Sequence, residues 1–347
     1  MKNIKKIICL FIIVAMISSS LSCTKVSNRQ EQYSRIEFTA FDTVGYITIF
    51  ETENFESYKQ REEYFMSNIK NILNTLEKIF SRTDEESELY KLNHRTTKEL
   101  MISRPLSTLM STAKIMYDIS LGNFDISIGN LAELWDVKNR KEPPSDEEIK
   151  NALKYANNMD YEIIQDVDED NMLCDKIIFK GDNNTHYDLG AIAKGYAAQN
   201  LKDVLVETMG VTSGMINFGG SVTIIGSKDN VPYSIGIKRP FKDGYLLTED
   251  VINRSLITSG TYERYFEYEG KIYHHIIDNK TGYPVDNRIT SVTVDCDNPI
   301  MGDFLSTTIL ILGIEDGKAL LEAVKNTFGD DKLSAIIIDV DEKITRF

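Results

Sequence analysis

Gly214-Met-Ile-Asn-Phe-Gly-Gly-Ser-Val-Thr-Ile-Ile225 places two adjacent glycines between short β-rich runs, Gly214–Phe218 and Val222–Ile225. Glycines after a strand permit a tight turn or a close approach of backbone to a ligand. The stretch reads as part of a meander, and what surrounds it extends that reading. Tyr233–Lys238, Ser255–Ser259, Tyr262–Tyr268, Lys271–Ile277, Ser291–Asp295 and Ala335–Val340 are further β-like runs on the C-terminal side. Ala191–Met209 precedes it as a helix, and helices near Asp303–Leu312 and Ile314–Asn326 interrupt the late strands. Helices early and a meandering sheet late indicate α+β, with mixed or antiparallel sheets and flanking helices, rather than a doubly wound sheet.

Upstream, Ile36–Phe50 is β-rich. Phe65, Ile69, Ile72, Leu76 and Ile79 advance by 4, 3, 4 and 3 positions, the spacing of an amphipathic helix. Thr83–Glu86 reads as the capped start of a short helix ending near Asn93. Pro105–Leu121 is a helix with Gly122 placed to stop it, and Ser145–Asn157 is helical after a Pro-Pro loop. Tyr161–Gln165 and Lys176–Lys180 form a strand pair.

The first residues carry an address. Lys2, Lys5 and Lys6 precede an apolar run, Ile7–Met16, then Ser18–Ser22 and Cys23. Basic, apolar and small is the order of a secretory signal, and the run is too short to span a membrane comfortably. A cysteine directly after the small residues marks a lipoprotein signal, so Cys23 is the expected acylation site. Residues 1–22 then form the leader, 23–35 a tether and 36–347 a single domain. Ser20 stands where an aliphatic residue is usual, and Ser20-Leu21-Ser22 also suits ordinary signal peptidase, which would leave Cys23 unmodified. The expected location is extracytoplasmic, on a membrane-anchored lipoprotein at the periplasmic face or cell surface.

Of the 347 residues and net charge of −14, removal of the leader leaves 325 residues and −17. So acidic a chain is a poor partner for nucleic acid. Only Cys174 and Cys296 remain besides Cys23, too few for a disulfide framework, though one bridge stays open. No Cys/His cluster has zinc spacing.

Several stretches could carry chemistry. Asp188-Leu-Gly-Ala-Ile-Ala-Lys-Gly-Tyr196 runs through glycine into a helix, whose N-terminus with Lys194 suits a phosphate; a plain strand-to-helix turn explains it equally well. Thr258–Arg264 is rich in small donors before a strand, or is simply a β-turn. Tyr273–Pro284 holds two of the four histidines. In a strand, His274 and His275 face opposite ways, and whichever faces a site can act as general base near neutral pH. Asp303 and Thr307 share a helix face and could offer oxygens to Mg²⁺ or Ca²⁺; the simpler reading is a dipole-stabilising Asp and a buried Thr.

In order, Ser87–Asn93, Gly122–Gly129 with Leu134-Trp135, Asp188–Tyr196, Asn217–Gly220, Thr258–Arg264, His275–Pro284 and Asp303–Thr307 resemble the motifs of the FAD:protein FMN transferase family, the ApbE-type flavin transferases. The resemblance runs from about Phe41 to about Gly313. It implies an FAD cleft between two closely packed lobes and Mg²⁺ held against the pyrophosphate by the Ala191 carbonyl, Asp303 and Thr307. It implies Lys194 beside the phosphates; Asn93, Asp125, Ser259, Gly260 and Asp278 lining the FAD pocket; and His275 as base, with His274 the alternative if the strand register differs. Gly302-Asp303-Phe304 departs from the family's usual Ala-Asp-Ala and puts a bulky ring beside the metal motif.

The implied reaction is Mg²⁺-dependent transfer of FMN from FAD to a Ser or Thr hydroxyl of an acceptor flavoprotein subunit, with release of AMP. The same site would serve a metal-dependent FAD pyrophosphatase. A reading from another class is a periplasmic flavin-binding carrier lipoprotein, against which the base and the metal oxygens speak.

Overall fold

The computed structural model describes residues 33–53, 55–167 and 173–347. The leader, Cys23 and nearly all of the tether lie outside the described residues.

Ile36, Phe38 and Ala40 are buried while Arg35, Glu37 and Thr39 between them are exposed. That period of two makes Ser34–Ala40 a half-buried strand. It turns through Phe41 and Asp42, both at positive φ (54° and 58°), into Thr43–Thr52, antiparallel to it. Two left-handed residues give the hairpin a twist that matches its strands. The Phe41 N–H donates to Glu77 Oε1 at 2.8 Å, tying the turn to a helix.

The Gly214–Ile225 stretch is such a hairpin. Val211–Phe218 and Ser221–Gly226 pair antiparallel with Phe218 opposite Ser221. Gly219 and Gly220 make the turn at φ 60° and 111°, where a side chain would be strained. This hairpin occupies the middle of an eight-stranded sheet. In spatial order its strands are Ser34–Ala40, Thr43–Thr52, Val211–Phe218, Ser221–Gly226, Ser255–Gly260, Ile289–Cys296, Ser334–Asp339 and Ile344–Arg346. Three small sheets accompany it: Glu99–Ile102 with Leu173–Phe179 and Tyr161–Val167, Tyr233–Lys238 with Tyr245–Val251, and Tyr265–Tyr268 with Lys271–His274. Every strand pairing among the described residues is antiparallel. The architecture is α+β, as the element order indicated.

Helices cover the large sheet. Glu62–Phe80 buries Phe65, Ile69, Leu73, Leu76 and Phe80. Its buried stripe is rotated from the expected one, leaving Ile72 and Ile79 half-buried. Pro299–Leu312 is almost wholly buried against the Ser255–Gly260 and Ile289–Cys296 strands, and Asn298 caps it by accepting the Ile300 N–H at 2.8 Å. Ser34–Phe347 form one compact unit around a core that includes Ile47, Ile69, Leu106, Ile216, Val292 and Phe304.

Several boundaries differ from expectation. The helix near Asn93 starts only at Glu88, because Ser87 rather than Thr83 or Asp84 caps it, its hydroxyl accepting the Tyr90 N–H at 3.0 Å. The helix after the Pro-Pro loop ends at Leu153 instead of Asn157. Gly129–Trp135 is an unanticipated helix whose Trp135 is fully buried and donates Nε1–H to the Gly282 carbonyl at 2.8 Å. The strand expected over Lys271–Ile277 stops at His274, so His275 leaves the sheet. Cys174 is half-buried and Cys296 buried, and no disulfide joins them.

Candidate active site

Two helices meet at the residues that carry the oxygen donors. Ala193–Asp203 presents Ala193, Gly195, Ala197 and Ala198 inward, and such small side chains let another backbone come close. A Cβ on Gly195 would lie 2.4 Å from the Pro299 carbonyl oxygen, so only glycine permits this approach. The approach brings Asp303 to the start of the other helix. Its Oδ2 accepts the Gly195 N–H at 2.6 Å.

In an unbroken helix that N–H would serve the carbonyl four residues back, Ala191. The helix begins at Ala193 instead, and among the described residues no backbone donor reaches the Ala191 carbonyl. Asp303 is buried, and burial pushes its carboxyl up to about 6 despite Lys194 and the Gly195 N–H, which both favour the charged form. Its second oxygen has no protein donor among the described residues. One turn on, the Thr307 hydroxyl is 2.9 Å from Ser259 Oγ, which also lies 2.8 Å from Ser306 Oγ. An orphaned carbonyl, a buried carboxylate and a partly accessible hydroxyl are all oxygen donors, the set a hard cation such as Mg²⁺ takes. No cluster of three or more His, Cys, Asp or Glu side chains is arranged to hold a metal among the described residues. A cation at Asp303 would therefore draw on hydroxyl and carbonyl oxygens. Phe304 points the other way. It is fully buried, edge-on to Phe124 with ring centroids 5.2 Å apart, so its bulk enters the core rather than the donor set.

The two histidines are placed very differently. His274 is buried; its Nε2 donates to the Val285 carbonyl at 2.9 Å and its Nδ1 accepts the Ile276 N–H at 3.2 Å. Both ring nitrogens are spent. The His275 ring is set into the wall but stays partly accessible. Its Nδ1 lies 3.2 Å from the Arg264 carbonyl oxygen, which can only accept, so Nδ1 carries the proton and Nε2 keeps a free lone pair. Burial above all, with the charges of Arg264 and Lys194, holds this imidazole well below its usual range and hence neutral at pH 7. The strand's end at His274 is what turns the His275 ring out of the sheet.

The remaining expected pocket residues act chiefly on the backbone. Asn93 is buried and clamps Tyr187 from both sides, donating Nδ2–H to its carbonyl at 2.9 Å and accepting its N–H at 2.8 Å. That clamp fixes the chain just ahead of Asp188–Tyr196. Asp125, also buried, accepts the Ser127 N–H and hydroxyl at 2.8 and 2.6 Å and the Asn157 N–H at 2.7 Å. Asp278 shapes the turn before Gly282, accepting the Lys280 N–H at 2.8 Å and the Thr281 hydroxyl at 3.2 Å. Gly260 lies under Tyr262, where a Cβ would meet the ring at 2.5 Å. Sequence reasoning missed Gly195 as the partner of Asp303 and Asn279 as a link from its turn to Asp125 and Asn157. Neither residue type signals such a role; the contacts are long-range.

A family model described as the ApbE family matches residues 41–328. The chain belongs to the ApbE family. An FAD:protein FMN transferase of Klebsiella pneumoniae is 34% identical over 75% of this chain and 79% of its own length. One from Vibrio cholerae is 31% identical over 74% of this chain and 75% of its own. Among solved structures, the ApbE protein of Thermotoga maritima superimposes with a TM-score of 0.76 at 28% identity, covering 91% of this chain and 97% of that one. The ApbE match spans both helices of the oxygen site and the His274-His275 turn.

Proposed function

We propose that this chain transfers the FMN moiety of FAD to a Ser or Thr hydroxyl of an acceptor protein and releases AMP. The observation that carries the reading is His275: a neutral, accessible imidazole with Nδ1–H held by a backbone carbonyl and Nε2 open, in a chain whose relatives are FAD:protein FMN transferases. Nε2 takes the acceptor's hydroxyl proton as the new O–P bond forms at the FMN-side phosphorus. The bond from that phosphorus to the AMP phosphate breaks, and its electron pair leaves with AMP. Lys194, at the start of its helix, supplies positive charge to the pyrophosphate. Mg²⁺ held by the Ala191 carbonyl, Asp303 and Thr307 would neutralise pyrophosphate charge. Ser259 positions Thr307 through its hydroxyl. Asn93 and Asp125 hold the surrounding backbone.

The basic, apolar and small-residue order of the first 22 residues, with Cys23 next, supports an extracytoplasmic enzyme anchored by acylated Cys23. Its acceptors would then be flavoprotein subunits at the membrane. The test is to incubate the protein with FAD, Mg²⁺ and an acceptor domain, and to measure AMP release and acceptor-bound flavin together. Matched AMP and flavin-labelled acceptor are expected. AMP release that is the same with or without acceptor, and no labelling, would replace the transferase with a pyrophosphatase. A Cys23→Ser variant is expected to leave the membrane fraction with its activity intact.

A further inference from the structure

We infer that Arg264 is a catalytic residue whose guanidinium binds the non-bridging phosphoryl oxygens of the substrate pyrophosphate beside His275. The inference rests on the transferase reading of this site.

Arg264 is fixed to the base through its backbone. Its carbonyl accepts both the His275 N–H and the His275 Nδ1–H, each at 3.2 Å. The side chain is exposed and makes no ion pair among the described residues. Among the described residues six other arginines are ion-paired, Arg82 with Asp188, Arg104 with Asp175, Arg239 with Glu342, Arg254 with Asp295, Asp297 and Asp330, Arg288 with Asp341, and Arg346 with Glu249, while Arg35, Arg61 and Arg95 lie over aromatic rings. In a chain with 53 acidic residues against 39 basic ones, partners for a cation are abundant, so a cation left open beside the base stands out.

Arg264 does not stand alone there. Its charge and that of Lys194 both bear on the His275 ring, one from the loop ahead of the Tyr265–Tyr268 strand and the other from the Ala193–Asp203 helix; His274 is the third titratable group facing it. Two cations from separate elements converge on one neutral imidazole. An anion bound beside the ring would offset both charges. Arginine's planar fork matches two phosphoryl oxygens at once, with more directionality than lysine. In the transfer step those oxygens carry the charge that builds as the acceptor O–P bond forms and the bond to AMP breaks. The acceptor's proton goes to His275 Nε2 and the electron pair leaves on AMP, so Arg264 exchanges no atom.

Arg264→Ala and Arg264→Lys test this in the full chain, because either change keeps the backbone carbonyl that seats His275. Binding of FAD, riboflavin and inorganic pyrophosphate is measured alongside FMN transfer at saturating FAD. For Arg264→Ala the expected result is FAD and pyrophosphate affinity down about tenfold or more, transfer down roughly 10²-fold, and riboflavin affinity unchanged. Arg264→Lys is expected to recover part of both losses. Equal weakening of riboflavin, which lacks phosphate, overturns the proposal, as does wild-type FAD affinity with wild-type transfer. If the unaltered protein binds FAD but labels no acceptor, the transferase reading fails, and the FAD and pyrophosphate binding comparison still decides on Arg264.

Discussion

Asp303 Oδ2 accepts the backbone N–H of Gly195 at 2.6 Å, and this bond joins the helix that carries the oxygen donors to the helix that carries Lys194. It satisfies a first-turn N–H of a helix that begins at Ala193, two residues after the open Ala191 carbonyl.

The same bond holds a carboxylate in a buried place, which has a cost. Asp303 is raised from 3.8 to about 6. A carboxyl raised on folding binds its proton more tightly in the folded chain, so its contribution to stability is most favourable below about pH 4 and is lost as pH rises through about 6. Asp303→Asn keeps an acceptor for Gly195 without the charge. In metal-free buffer at pH 8 it should be more stable than the unaltered protein by up to about 3 kcal/mol, with little difference near pH 4, and it should transfer no FMN. Thermal melts at the two pH values check this; a less stable variant at pH 8 would sink the idea.

Protonation of Asp303 should also set the acid limb of activity. His275 titrates well below its usual range, so transfer is expected to fall as pH drops through about 6, where Asp303 gains its proton. If Mg²⁺ binds this carboxylate as proposed, protons compete with it, and raising Mg²⁺ should move that limb to lower pH. A limb that ignores Mg²⁺ would assign it to another group.

The neighbouring histidines should separate cleanly on substitution. His275→Gln removes the base and is expected to lower transfer by 10²-fold or more, with the melting temperature nearly unchanged. His274→Ala leaves the Val285 carbonyl and the Ile276 N–H without their partner, so its loss should appear as roughly 1–3 kcal/mol of stability. Denaturant titration beside single-turnover transfer distinguishes them, and the opposite pattern would exchange their roles.

Asn93→Ala is expected to act on stability. It strands the N–H and carbonyl of buried Tyr187, worth about 2–4 kcal/mol together. Asn93→Asp should also fail, since a carboxylate cannot donate to the carbonyl. Unchanged melting curves for both would mean that the clamp contributes little.

Much of this was legible along the chain because it depends on local rules. Alternating burial in Ser34–Ala40, the two-glycine turn at Gly219–Gly220 and the helix over Asp303–Leu312 follow from neighbouring residues, although the start of that helix at Pro299 does not. The Asp303–Thr307 pair was visible from helix period, and the His274-His275 pair from composition. Short elements such as Gly129–Trp135 were not. A helix of two turns has little periodicity to read, and this one is held by Trp135 reaching Gly282, 147 positions away.

The sequence by itself determined the α+β class, the order of the motifs, the acidic surface and the oxygen chemistry of the Asp303 and Thr307 side chains. The tertiary structure alone decided how those residues act. Which histidine keeps a free nitrogen depends on where the strand ends and on which carbonyls, from Val285 and Arg264, come within reach. Asn93, Asp125 and Asp278 are types that hold ligand or backbone, and only the fold shows which backbone groups each of them holds. Ala191 has the same carbonyl as any residue; it is open because the helix begins only at Ala193, and the first-turn N–H of Gly195 is taken instead by Asp303, from a helix more than a hundred residues away.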